Sequence, residues 1–347
     1  MPKKISVTIL FGGRSAEHEV SLQSAAAVYR HLDPSKYKIH SLYINRKGQW
    51  KPVTSPVVSR VELTRGPFYS FLSWAQVISE PLEITDIYFP VLHGPYGEDG
   101  AIQGFFQMSD VPYAGASVLG SAVAMDKAVA KTIFKAMGLP VVDHTVIRKP
   151  DWQHNRNKTL AEAKRSFPLP VFVKPANLGS SIGIRKVKSW DELESAMEAS
   201  FAYDRKILVE KAIAGRELEC SVLGNDFPQA SLPGEVIPNR EFYDYRDKYI
   251  EGKTQFGIPA DIPKSLIKKI QKLSTQAFLG LECRGMARAD FFLERTSGRL
   301  FLNEINTIPG FTDISMYPKL WEASGLPFPR LLDKLIELGL EFHSKRI

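Results

Sequence analysis

Residues 288–310, RADFFLERTSGRLFLNEINTIPG, contain two short apolar-rich runs separated by a tight turn, the pattern of a β-hairpin with a face in a core. Asp290, Glu304 and Asn306 stand in it where a buried sheet would carry Val or Leu. Strand side chains alternate, so Arg288 and Asp290 share one face, and Glu304 and Asn306 share one face of the partner strand. The turn TSG suits a three-residue loop with Gly298 in the left-handed conformation. Centring the hairpin on Ser297 pairs Arg295 with Arg299 and sets Asp290 opposite Glu304. Opposed residues have Cα atoms roughly 4.5–5.5 Å apart, and two carboxylates at that spacing repel. A cation between them removes the conflict. Two carboxylates and an amide oxygen form a hard ligand set that suits Mg²⁺ better than zinc, while Arg288 is placed to neutralise the acids or to bind an anion. The competing reading is a solvated hairpin face with its charges in water.

At 347 residues, 44% of them hydrophobic, the chain can bury a large core and divide into two or three domains. No apolar run approaches the roughly 20 residues that span a bilayer, and MPKKISVTILFGG reads as a first strand rather than a signal peptide. The two cysteines, Cys220 and Cys283, fit a reducing cytoplasm and exclude a cysteine-based zinc site or a disulfide scaffold. HEVSL opens like a zincin helix, but Leu22 stands where the second His is required. The net charge of +7 favours anionic partners. Its Lys and Arg residues are scattered, without the basic run or stacking aromatics of a nucleic-acid module, so nucleotide phosphates are the more economical anion.

Strands alternating with helices up to about Ala116 imply a parallel sheet covered by helices, with Ser15 as the cap of the first helix. SVLGSAVAMDKAVAKTIFKAMGLP reads as a helical pattern stopped by Gly138 and Pro140. Short β-rich runs around one helix then form a small α+β unit. The last third holds an alternating strand, a long polar-aromatic stretch suited to a mobile lid, a helix, the opening hairpin and a closing helix.

FVKPANLGSSIGIRKV reads as a strand, a Gly/Ser-rich loop and a strand. The loop's N–H groups and hydroxyls can wrap phosphate oxygens, with Lys174 as a point charge; it is not a Walker loop, and an ordinary hairpin turn is the alternative. GGRSAEHE lacks the dinucleotide-binding glycine spacing, so Glu17 reads as well as a first-turn acid. LHGPYGEDG reads equally as a turn-rich loop. Glu210 and Glu217, taken singly, read as surface acids.

Together, GGRSAEHEVS, LHGPYGEDGAIQG, AMDKAVAK, VKPANLGSSIGI, GRELECSVLG, FYDYRDKY and NEINTIPGFT occur in an order that resembles the D-alanine–D-alanine ligases of the ATP-grasp superfamily along nearly the whole chain. The resemblance implies an α/β and α+β protein. An N-terminal parallel α/β, Rossmann-like substrate domain (1–116) would precede the two ATP-grasp subdomains, 117–213 with the phosphate loop and 214–347 with the lid and the metal-binding hairpin. It implies ATP-dependent joining of two D-alanines through a D-alanyl phosphate, for peptidoglycan synthesis, by a cytoplasmic homodimer that binds neither nucleic acid nor membrane.

The resemblance also implies roles. Lys127 and Lys174 would reach the ATP phosphates, Glu210 and the backbone of Lys211, Ala212 and Ile213 the adenine, and Glu217 the ribose. Ser180, Ser181 and Lys248 would also bind ATP, Lys248 contacting the substrate as well. Asp290, Glu304 and Asn306 would carry two Mg²⁺ ions, with Mn²⁺ as a substitute. Arg288 and the N–H of Gly310 would face the oxyanion of the tetrahedral intermediate. Glu17 would bind the first D-alanine's ammonium beside His93, with Ser180 and Tyr249 hydrogen-bonded to Glu17. Ser315, flanked by Met316, would contact the second D-alanine's carboxylate. Lys248 and Tyr249 in the lid resemble dipeptide-forming members, in contrast to relatives that take D-lactate. Met316, where leucine is common, and Ala212, where some relatives carry an aromatic, depart from the family pattern. An ATP-grasp ligase with a D-lactate or D-serine acceptor and a non-catalytic nucleotide-binding protein are the alternative readings.

Overall fold

The computed structural model describes residues 3–57, 60–64, 66–70, 85–237 and 254–345, so the lid sequence with Lys248 and Tyr249 lies outside the described residues. The first sheet joins β1 (Ile5–Gly12), β2 (Tyr37–Ile44), β3 (Trp50–Val53) and β4 (Ile87–Pro90) in the order β3-β2-β1-β4. β1 runs parallel to β2 and β4, and β3 adds an antiparallel edge. Alternation along β1 sorts its side chains. Val7, Ile9 and Phe11 meet Val28 of the helix His18–His31 and Leu331 and Leu335 of the helix Phe328–Ser344. Leu10 packs instead with Tyr88, Ile102 and Phe106. The first sheet is thus completed by residues from the far end of the sequence.

The first helix begins at His18, not near Ser15, and Ser15 does not cap it. The Ser15 hydroxyl donates to the His93 carbonyl at 2.6 Å and accepts the Glu17 N–H at 3.2 Å. That turn holds Glu17 at the helix entrance. The single helical pattern expected after Ala116 is two helices, Val118–Met125 and Lys127–Ala136. Asp126 leaves helical geometry, and its carboxylate accepts the N–H groups of Ala128 and Val129, both at 3.1 Å. A side chain that competes for its own backbone in this way restarts the helix. Gly138 (φ +72°) closes it, as its position after the apolar run suggests.

Two antiparallel sheets follow. β5 (His144–Arg148), β6 (Val171–Pro175), β7 (Arg185–Val187) and β8 (Lys206–Lys211) pair in the order β5-β8-β6-β7. Their core is local, with Val171, Val173 and Val209 packed on Met197 and Phe201. The larger sheet runs β12 (Gln255–Gly257), β11 (Gly234–Ile237), β9 (Gly215–Gly224), β13 (Gly285–Glu294) and β14 (Leu300–Asn306), with β10 (Gln229–Ala230) beside β9. Ala277 and Phe278 of the helix Lys264–Gly280 cover it, together with Phe134, Leu139 and Val141 from the segment before β5.

The opening hairpin reaches its expected pairing by another route. Near the turn Glu294, not Arg295, faces Arg299: the Glu294 N–H donates to the Arg299 carbonyl at 2.9 Å, and Leu293 pairs with Leu300. The loop therefore holds four residues, with Gly298 left-handed at φ +65°. A register shift between Asp290 and Phe291 then inserts one extra residue on the β14 side and restores Asp290 opposite Glu304 and Arg288 opposite Asn306.

A candidate active site between two antiparallel sheets

The β6–β7 loop and the end of the β13–β14 hairpin line a cleft of about 190 Å³. Glu17, His93, Ser180, Arg288, Glu304, Asn306, Gly310, Ser315 and Met316 all face it. Lys127 lines an adjoining pocket that shares Glu304 and Asn306. Lys174 and Glu210 sit in a buried cluster on the central sheet. Ser181, Glu217 and Lys211–Ile213 are outside the lining of both pockets. The N–H groups of Lys211 and Ala212 bond to the carbonyls of Asp143 (3.0 Å) and Pro170 (3.2 Å).

At one end of the cleft Ser180 donates its hydroxyl to the Glu17 carboxylate, linking the β6–β7 loop to the first helix. Ser180 and Ser181 adopt φ +50° and +58°, an uncommon conformation for residues with a Cβ, and strain of this kind clusters at ligand-binding loops. A Cβ on Gly179 would stand 3.0 Å from Glu17 Oε2, so glycine lets the loop approach the acid. His93, 4% exposed, bonds through Nδ1 to the Ile308 carbonyl (3.0 Å) and through Nε2 to Ser24 (2.9 Å). Ser24 also accepts the Phe311 N–H at 3.2 Å. The first domain's loop is thereby fastened to the chain that carries Gly310.

In the sequence Glu98 stands out only as part of the turn-rich loop LHGPYGEDG. It accepts the N–H groups of Gly94 (3.0 Å) and Ile308 (3.2 Å) from a buried position. Burial, reinforced by the charge of Glu17, pushes its carboxyl up to about 8. Burial also holds His93, His18, His40 and His144 below the usual imidazole value. Each binds a proton more readily unfolded than folded, so their contribution to stability is present above about pH 6.5 and is lost as pH falls through that value. Glu98 works the other way: its carboxyl holds a proton more readily folded than unfolded, so its contribution grows as pH falls from about 8. Urea unfolding midpoints of a Glu98→Gln variant are therefore expected to decline more steeply from pH 7.5 to 5.5 than those of the wild type; parallel profiles would contradict the elevated Glu98 carboxyl.

At the hairpin, Arg288 forks onto Asp290 with two 2.7 Å bonds, and its Nε lies 3.0 Å from Glu219 Oε2. Glu219 sits opposite Asp290 on β9, so Glu219, Asp290 and Glu304 form a row across three strands. Asn306 donates to Asp290 at 2.9 Å, and Lys127 Nζ lies 3.1 Å from Glu304. Lys127 also donates to the Leu178 carbonyl at 2.6 Å. Glu219 was absent from the sequence-level candidates, yet it stands two residues after Glu217 on one strand, where alternation puts both on one face.

The donor chemistry fits a divalent cation. Asp290 and Glu304 oppose each other in register beside an amide, and their charges meet Arg288 and Lys127. Mg²⁺ is usually held by one or two carboxylates together with substrate phosphates, and Asp290 and Glu304 supply such a pair. Past the hairpin, a Cβ on Gly310 would lie 2.6 Å from Ser315 Oγ, so glycine is required for the serine to come this close. Ser315 Oγ accepts the Thr312 N–H at 3.0 Å and shares a 2.7 Å hydrogen bond with the Thr312 hydroxyl. Met316 packs with Val236 and Leu320 at the cleft wall.

A parallel α/β unit joined to two antiparallel sheets, with a Gly/Ser loop on one sheet facing acids on the other, is the ATP-grasp fold of carboxylate–amine ligases. Family models described as D-ala D-ala ligase N-terminus and D-ala D-ala ligase C-terminus match residues 6–116 and 133–337. A D-alanine–D-alanine ligase of Solibacter usitatus is 47% identical over 345 residues, 99% of this chain and 98% of the relative. One from Halothermothrix orenii is 49% identical over 343 residues, covering 97% and 99%. The solved D-alanine–D-alanine ligase of Coxiella burnetii superposes with a TM-score of 0.84 at 38% identity, covering 99% of this chain and 96% of that one. VanG D-Ala:D-Ser ligase of Enterococcus faecalis gives 0.81 at 33%, covering 97% and 99%. The chain belongs to the D-alanine–D-alanine ligase family.

Proposed function

We propose that this chain joins two D-alanines into D-alanyl-D-alanine at the expense of ATP, through a D-alanyl phosphate, with release of ADP and phosphate for peptidoglycan synthesis. The observation that carries this reading is one cleft lined by the Glu17 carboxylate, Arg288, Gly179 and Ser180 of the Gly/Ser loop, and Glu304 and Asn306 of the hairpin. A carboxylate is a poor electrophile, so the reaction needs activation and a counter-charge ready at each stage.

In this reading Glu17 holds the ammonium of the first D-alanine, oriented by Ser180, with His93 behind it. The backbone of the β6–β7 loop, with Ser180 and Ser181, wraps the phosphates, and Lys127 and Lys174 supply positive charge. Lys211–Ile213 and Glu217 flank the adenine and ribose, with Lys248 and Tyr249 as further contacts outside the described residues. Asp290, Glu304 and Asn306 would hold two Mg²⁺ ions, or Mn²⁺ in their place, which supply charge neutralisation and phosphoryl alignment when bound.

Arg288 then faces the oxyanion formed when the second amine attacks, with the Gly310 N–H as second donor. Its tie to Glu219 would keep the guanidinium at the cleft were Asp290 to hold a metal ion. Ser315 orients the carboxylate of the second D-alanine beside Met316. We take the protein to act as a cytoplasmic homodimer.

The name of the VanG relative favours one second reading, D-serine as acceptor. Purified protein with ATP, Mg²⁺ and D-alanine is expected to release one phosphate per D-alanyl-D-alanine, identified by mass spectrometry. Parallel reactions would add D-serine or D-lactate. Turnover only with added D-serine or D-lactate would replace the acceptor assignment. Folded protein that binds ATP but turns over none of them would be a nucleotide-binding protein.

A further inference from the structure

The helix Lys127–Ala136 presents two lysines one turn apart on the same face. Lys127 reaches Glu304, while Lys131 turns inward, its Nζ 3.0 Å from Glu210 Oε2. The other Glu210 oxygen accepts from Lys174 at 2.5 Å. Side-chain exposure is 1% for Lys131, 1% for Glu210 and 8% for Lys174, so a buried acid is shared between two buried lysines. Lys174 lies on β6, the strand that leads into the Gly/Ser loop.

A buried ion pair of one lysine and one glutamate is neutral and offers little attraction to a phosphate. If Glu210 faced Lys174 alone, it would cancel the charge that Lys174 is there to lend. Burial lowers the pKa of Lys131, and the adjacent Glu210 carboxylate opposes that shift. Burial likewise works to raise the Glu210 pKa, yet the charges of Lys131 and Lys174 hold it down at about 2. Glu210 is therefore an anion, and a single lysine would leave its second oxygen without charge compensation.

We propose that Lys131 is a positioning residue for nucleotide binding: it takes up one oxygen of Glu210, so that the three-residue cluster keeps a net positive charge and Lys174 presents it to the phosphates. At 1% exposure Lys131 does not touch the nucleotide itself. The inference rests on the reading of Lys174 as a phosphate ligand.

The test measures the affinities of ATP·Mg²⁺ and of adenosine by calorimetry, without D-alanine, for the wild type, Lys131→Met, Lys131→Arg and Lys174→Met. Lys131→Met should weaken ATP·Mg²⁺ binding roughly tenfold or more and leave adenosine binding unchanged, because adenosine carries no phosphate. Lys131→Arg keeps the charge and should bind both like the wild type. Undiminished ATP·Mg²⁺ binding by Lys131→Met would overturn the proposal. So would an equal loss of adenosine binding, because the loss would then come from packing. Should Lys131→Met fail to fold, Lys131→Arg decides: ATP·Mg²⁺ affinity near wild type supports the proposal, whereas affinity as weak as Lys174→Met overturns it. A wild type that does not bind ATP would instead remove the phosphate reading itself.

Discussion

Glu304→Gln is expected to keep the fold and to lower kcat by roughly a hundred- to a thousandfold, the usual loss when one preorganised electrostatic group is removed from an active site. The amide matches the carboxylate in shape. The backbone register that sets Glu304 opposite Asp290 belongs to the hairpin and not to the side chain. What changes is charge: Lys127 loses its 3.1 Å partner, and the row of acids loses its outer member. If Glu304 holds a divalent ion, the Mg²⁺ concentration for half-maximal rate should rise along with the fall in kcat. Far-UV circular dichroism and the melting temperature should stay near those of the wild type. Near-normal turnover at ordinary Mg²⁺ would remove Glu304 from the metal set.

Arg288→Lys is expected to cost a comparable factor in kcat while nucleotide binding changes little. Lysine keeps the charge but loses the planar fork that binds Asp290 with two 2.7 Å bonds and reaches Glu219 at 3.0 Å. One ammonium group cannot hold both acids and present a donor to a developing oxyanion in the same geometry. The split between an unchanged ATP affinity and a collapsed kcat is the informative readout. A matching loss of ATP affinity would mean that Arg288 serves the phosphates instead.

Much of this site can be read from the chain because its groups follow strand alternation. Asp290, Glu304 and Asn306 depend on period-two geometry and on pairing across a short turn. The Asp290–Glu304 pairing nonetheless emerged from two offsetting differences, a longer loop and an extra residue in β14, which a turn rule applied to TSG cannot detect. Helix punctuation was readable at Gly138 but not at Asp126, where a polar residue inside an apolar-periodic run competes for the backbone. Lys131 carries a visible signal, one helical turn from Lys127, but its burial against Glu210 depends on two sheet strands distant in sequence. Glu98 and its elevated pKa likewise depend on Ile308, 210 positions away. Long-range burial is what the sequence least reveals.

The face of the first sheet that carries Ile9 and Phe89 is finished by Leu331, Leu335 and Ile336, and the Asp333 carboxylate accepts the Tyr37 hydroxyl at 2.8 Å. About 240 residues separate Phe89 from Leu331, so a ribosome adding roughly 5–20 residues per second needs roughly ten to fifty seconds between making the two. Throughout that interval the earliest strands to emerge lack these last partners: the helix His18–His31 and Leu63 are made early, and Leu223, Met286 and Phe311 of the same core follow only as synthesis proceeds. The first-made part of the protein therefore reaches its native packing among the last, and an unfinished chain presents a sticky apolar surface to whatever binds nascent polypeptides.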